Sequence, residues 1–116
     1  MTDHPLDQPL DHLLVESGGA ESGPACERFV GDAVRLLQDG HRVVLFLVEN
    51  GVTAAVPGAS PRVASFLRDG GELWVDTFSA AQRALPAEDL LPGSRLADMD
   101  EVADRLLEPR LRAVWH

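Results

Sequence analysis

The chain has 116 residues, 45% of them hydrophobic and 25% charged, enough for one well-filled core and too few for two. Its formal charge of −9 argues against a nucleic-acid surface, which needs clustered cations. The longest apolar run, residues 43–48, has six members, far short of the roughly 20 that span a bilayer. One cysteine excludes an internal disulfide framework and any multi-cysteine zinc site.

Residues 1–11 are acidic and proline-containing, and read as a flexible tail ahead of a single domain over residues 12–116. They lack the basic start and apolar core of a secretion signal, so the cytoplasm is the expected compartment. A short apolar run, residues 12–15, precedes the turn-rich stretch 16–23. Pro24 then opens a helix, since its missing N–H is not needed at the first position. Cys26, Phe29, Val30, Ala33, Val34 and Leu37 fall at helical spacing on one face, and Asp39-Gly40 ends the helix. Residues 43–48 show no alternation, the pattern of a strand covered on both faces within a parallel sheet.

Ser60-Pro61 starts a short helix that Gly70-Gly71 stops. Residues 73–75 read as the next strand and 79–85 as a helix cut by Pro86. A brief strand follows at 95–97. Asp98 and Glu101 have capping-box spacing ahead of a helix whose apolar face is Met99, Val102, Ala103 and Leu106. Finally Leu111, Ala113 and Trp115 alternate with Arg110 and Arg112, as in an edge strand covered on one side. Strands alternating with helices imply right-handed crossovers. The expected fold is a three-layer α/β/α sandwich with a mostly parallel, five-stranded, flavodoxin-like sheet.

In such sheets ligands bind outside the carboxyl ends of the strands. That rule nominates Ser17, Gly18 and Gly19 after the first strand, Glu49 and Asn50 after the second, and Asp76, Thr77 and Ser79 after the third. Cys26, in the first turn of the first helix, is nominated as a reactive thiol because a helix N-terminus stabilises thiolate. Its other role is packing, since it shares the apolar face with Phe29 and Val30. Asp76 and Glu49 can form an acid/base pair, or each can cap the element that follows it. No dinucleotide or Walker pattern is present, so no cofactor is expected. His4, His12, His41 and His116 lack metal-ligand spacing. His41, before the second strand, belongs to the opposite end of the sheet.

The stretch 40–48 followed by Asn50-Gly51-Val52 resembles the second-strand signature of the DsrE/DsrF-like (YchN-like) family. Residues 71–75, 83–85 and 88–93 are similar to the family's third strand, following helix and turn, in the same order. The resemblance implies a flavodoxin-like sandwich assembled as a homotrimer or homohexamer. For the better-understood members it also implies sulfur relay through a cysteine at the end of the third strand. Here the aligned position is Asp76, and a carboxylate cannot hold sulfane sulfur. Three readings follow. The first is a ligand- or partner-binding module without the persulfide cysteine, more a non-enzyme than an enzyme. The second is a sulfur carrier using Cys26, and the third an acid/base enzyme using Asp76 and Glu49. Trp74, Trp115, Leu90 and Leu91 are the expected apolar surface for assembly.

Overall fold

The computed structural model describes residues 10–116, so positions 1–9 of the expected tail at residues 1–11 lie outside the described residues. Leu10 is buried and Asp11 is tied to the sheet, its carboxylate accepting from the Arg42 amide at 2.7 Å. Five strands follow: β1 (His12–Glu16), β2 (Val43–Leu47), β3 (Glu72–Asp76), β4 (Arg95–Ala97) and β5 (Arg112–Trp115). Four helices connect them: α1 (Pro24–Gln38), α2 (Pro61–Arg68), α3 (Thr77–Gln82) and α4 (Met99–Leu106). All pairings are parallel, in the order β4-β3-β2-β1-β5.

That order fixes the layers. From β1 to β4 each crossover steps in one direction, and right-handedness keeps α1, α2 and α3 on one face. The connection from β4 returns across the whole sheet to β5, which carries α4 to the other face. The core divides accordingly. Leu14, Leu45 and Leu73 lie abreast on the first face, with Val30 of α1, Val63 and Phe66 of α2 and Ala80 of α3. Val15, Phe46 and Trp74 lie abreast on the second face, with Val102 of α4, Leu10 and Ala97. Every residue of β2 is buried, as the unbroken run 43–48 requires.

Capping follows the sequence closely. The Ser60 hydroxyl accepts from the Val63 amide, and Asp98 and Glu101 form the reciprocal capping box of α4. The third helix starts two residues earlier than its apolar pattern suggests, because Asp76 caps it. It also stops earlier, at Gln82, with Arg83 as its cap and Ala84 at φ 53°.

The outer layer differs from the expected one in two places. Of the apolar face read for α4, only Val102 is buried; Met99, Ala103 and Leu106 are exposed. Val102 is the residue of that face that joins the second core cluster, beside Leu10, Phe46 and Trp74. Strand β5 is exposed along its whole length, not covered on one side. As an edge strand it pairs, among the described residues, with β1 alone. Of the four residues nominated for assembly, Trp74 and Leu90 are buried, Leu91 is partly covered and Trp115 is exposed. No described helix is long and apolar enough to cross a membrane.

Candidate functional site

The helices after β3 and β4 leave on opposite faces of the sheet, and a crevice opens between such strands at their carboxyl ends. A cavity of about 520 Å³ lies there, lined by Asp76, Thr77, Phe78, Ala81, Asp98, Met99 and Asp100. Its chemistry is an anionic rim over an apolar floor. Phe78 and Met99 are both exposed, a waste of apolar area unless something covers it. A neighbouring apolar hollow of about 380 Å³ shares Thr77 and Ala81 and continues along α3 to Leu85, Pro86 and Leu96.

Asp76 is buried beneath the crevice. Its Oδ2 accepts from the Ser79 amide at 3.0 Å and from the Ser79 hydroxyl at 2.6 Å. The same hydroxyl oxygen accepts from the Glu49 amide at 2.8 Å. Ser79 is therefore a buried link between the β2 and β3 loops and not a ligand-facing residue. Glu49 sits at φ 50°, in the left-handed region, with its side chain exposed. Nothing in these contacts pairs it with Asp76 as acid and base; Asp76 acts as a helix cap, the alternative held open for it.

Ser17, Gly18 and Gly19 form a different centre. The carboxylate of Glu16 is completely buried, and its Oε2 accepts from the amides of Gly18 at 2.7 Å and Gly19 at 3.0 Å. Its Oε1 lies 2.6 Å from Nδ1 of His116, whose ring stacks on Phe29. The Ser17 amide and hydroxyl both donate to the His116 carbonyl at 2.8 Å. The loop that looks fit to cradle a ligand thus spends its donors on Glu16 and on the end of β5. Close backbone approach explains two glycines here. A Cβ on Gly51 would lie 2.0 Å from the Glu16 carbonyl oxygen, and one on Gly19 2.2 Å from that of Asn50.

Asn50 is likewise engaged: its Oδ1 accepts from Arg83 Nη2 at 2.7 Å and its Nδ2 donates to Glu21 at 3.2 Å. His12 and His41 meet edge-to-face at the amino end of the sheet, far from the crevice, as expected for His41. Burial, and next the neighbouring His41, push the His12 pKa below 6.5. Among the described residues no group of histidine, cysteine and carboxylate side chains could hold a metal ion.

Cys26 is 2% exposed, within the core beneath α1 and absent from the crevice lining. Burial, then the nearby carboxylates Glu16 and Glu27, push its pKa from 9.0 up to about 12. The reactive-thiol expectation is corrected on both counts. Packing on the apolar face outweighs the helix N-terminus, whose field is opposed by two adjacent anions.

Of the nominated residues, then, the structure brings only Asp76 and Thr77 to the crevice. The sequence reading missed Asp98, Met99 and Asp100 because the end of the fourth strand was not counted among the strand ends. The capping box beginning at Asp98 was the available signal. Glu16 and His116 were missed as a pair because 100 positions separate them.

No family model matches the sequence, and no curated protein matches it. Solved structures do. The YchN protein from E. coli superposes with a TM-score of 0.81 at 15% identity, covering 92% of this chain and 99% of that one. This chain has the YchN fold. A protein of unknown function from Methanobacterium thermoautotrophicum matches at a TM-score of 0.72 and 14% identity, over 90% and 96% of the two chains. The YchN-like architecture implied by the resemblance read from the sequence is thereby borne out as a fold, an α/β sandwich on a parallel five-stranded sheet.

Proposed function

We propose that this chain is an atypical DsrE-like module of the sulfur-relay type of fold that binds a partner or small ligand and transfers no sulfur. The observation that carries the reading is the absence of a usable thiol. Asp76 stands where the relay cysteine aligns, and Cys26 is sealed in the core with its pKa raised to about 12. The binding surface is the β3/β4 crevice, whose exposed Asp98 and Asp100 beside exposed Phe78 and Met99 suit a cationic group carried on an apolar stem. The resemblance adds assembly as a homotrimer or homohexamer. An unpaired thiol suits the reducing cytoplasm, where we place the protein.

Thiol chemistry tests the reading directly. At pH 8 a thiol near pKa 12 carries about a thousandfold less thiolate than one at 9.0. The native protein should therefore ignore an aromatic disulfide reagent that labels it fully in denaturant. It should gain no sulfur mass on incubation with a persulfide donor. Rapid native labelling, or a persulfide on Cys26, would return the sulfur-carrier reading.

A further inference from the structure

The crevice is one end of a longer groove. Its apolar neighbour along α3 shares Leu96 with a third hollow of about 370 Å³, set in the turn 87–94 that leads into β4. The three are therefore joined end to end, through Leu96 on one side and through Thr77 and Ala81 on the other. Leu96 stands abreast of Val75, a member of the first-face core, so the two hollows that share it lie on the α1–α3 side of the sheet. The groove follows β4 from the turn where the chain enters the strand to the crevice where it leaves. Phe78, Leu96 and Met99, three of the large apolar side chains left exposed, line it.

Charge is unevenly spread along it. The entry hollow carries exposed Glu88, with exposed Asp89 next in the chain, and the crevice carries exposed Asp98 and Asp100. Asp76 at the crevice is spent on Ser79. The middle hollow is lined by alanines, Thr77, Leu85, Pro86 and Leu96 and holds no charge. None of the residues lining the three hollows is basic. The neighbouring arginines are engaged: Arg83 with Asn50 and the Ser79 carbonyl, and Arg95 with Glu101 and the Trp74 ring. Arg68, on α2, holds Ser65 of its own helix. The groove is thus apolar in the middle and anionic at both ends. A free strand edge completes it, since among the described residues β4 pairs with β3 alone and one side of its backbone has no partner strand.

We infer that this groove receives an extended segment of a partner protein, laid beside β4 as a sixth strand, with alternating apolar side chains over Leu96 and a basic residue at each end. The inference rests on the crevice reading above and names the class of partner. A small amine can use the carboxylates and the apolar floor. Only a polypeptide also supplies the main-chain donors and acceptors of an added strand. The three residues of β4 span about 10 Å, so a segment of seven overhangs the strand at both ends, where the exposed carboxylates stand. Side chains of one parity enter the hollows and give specificity, while main-chain pairing sets the register.

The probe is the end-capped heptapeptide Arg-Leu-Thr-Leu-Thr-Leu-Arg, titrated into the isotope-labelled full chain and followed by amide NMR shifts, with hexylamine as a small cation on an apolar stem. The peptide should bind saturably, shift the amides of residues 95–97 together with those of Phe78 and Asp100, and slow hydrogen exchange in β4. Replacing both its arginines by glutamate, or methylating the backbone nitrogens of its threonines, should each weaken binding by at least about tenfold. Leu96→Glu and Asp100→Arg in the protein should do the same, thermal melts showing that each variant is folded. The capping box of α4 uses Asp98 and Glu101, so Asp100→Arg leaves it intact. Hexylamine should shift the crevice amides and leave residues 95–97 unmoved. Hexylamine binding without the peptide, or either altered peptide binding as well as its parent, overturns the added strand and leaves the crevice reading standing. Failure of both ligands, whether a second copy fills the groove or nothing does, overturns both.

Discussion

Glu16 and Asp76 both end a parallel strand, both are buried, and both accept hydrogen bonds from amides two or three residues ahead. They differ in what else they hold. Asp76 serves its own neighbourhood: it caps α3 and takes the Ser79 hydroxyl at the floor of an open crevice. Glu16 serves the whole molecule. Its second oxygen meets His116, so one carboxylate joins the first strand, the glycine loop and the residue that follows the last strand. A buried acid at a strand end is thus not a functional signature by itself; the sequence distance to its partners tells local capping from long-range clamping.

Substitution should expose that difference. Glu16→Ala removes the acceptor for two amides and the partner of His116 from a fully buried position, and should cost about 3–5 kcal/mol in denaturant unfolding. His116→Ala leaves Glu16 buried with its two amide donors, and should cost about 1–3 kcal/mol. The second variant should also speed hydrogen exchange in β5 more than in β2, as a local clamp on an edge strand requires. Asp76→Ala removes a cap and the acceptor of the Ser79 hydroxyl, at about 1–2 kcal/mol, and Asp76→Asn should recover most of that loss. If Asp76→Ala proved as damaging as Glu16→Ala, the contrast between local and long-range roles would fail.

A smaller effect belongs to the other end of the sheet and serves as a control. Because His12 has its pKa lowered in the fold, the folded state favours its neutral form and the unfolded state binds the proton more readily. The stability this contributes is present above pH 6.5 and is lost as pH falls through the lowered value. His12→Asn should flatten that part of the pH–stability profile while leaving the Glu16 and Asp76 variants in the same rank.

Local signals carried most of the architecture. The unbroken run at 43–48, Pro24 and Pro61 at helix starts, the paired glycines at 70–71 and the Asp98–Glu101 box each place an element through chemistry that acts within a few residues. What escaped depends on contacts across the chain. Met99 and Leu106 have the spacing of a buried face, but burial requires an opposing surface, and on α4 only Val102 meets one. Likewise the alternation at 111–115 announces a strand without saying whether a helix lies above it. For the crevice, Asp76 and Thr77 could be named from the strand-end rule alone. Its other wall came from β4, a strand of three residues whose end is easily overlooked.

The pairing of β5 with β1 has a kinetic side. Its register joins His12 to Arg112 and Val15 to Trp115, so this is the longest loop closure in the sheet and the slowest kind of contact to reach by diffusion. During synthesis the outer border of β1 must wait for nearly the entire sequence to leave the ribosome before its mate exists. Until then the nascent domain exposes a bare ladder of amides and carbonyls beside its most hydrophobic ribbon, which is when chaperone engagement would matter most.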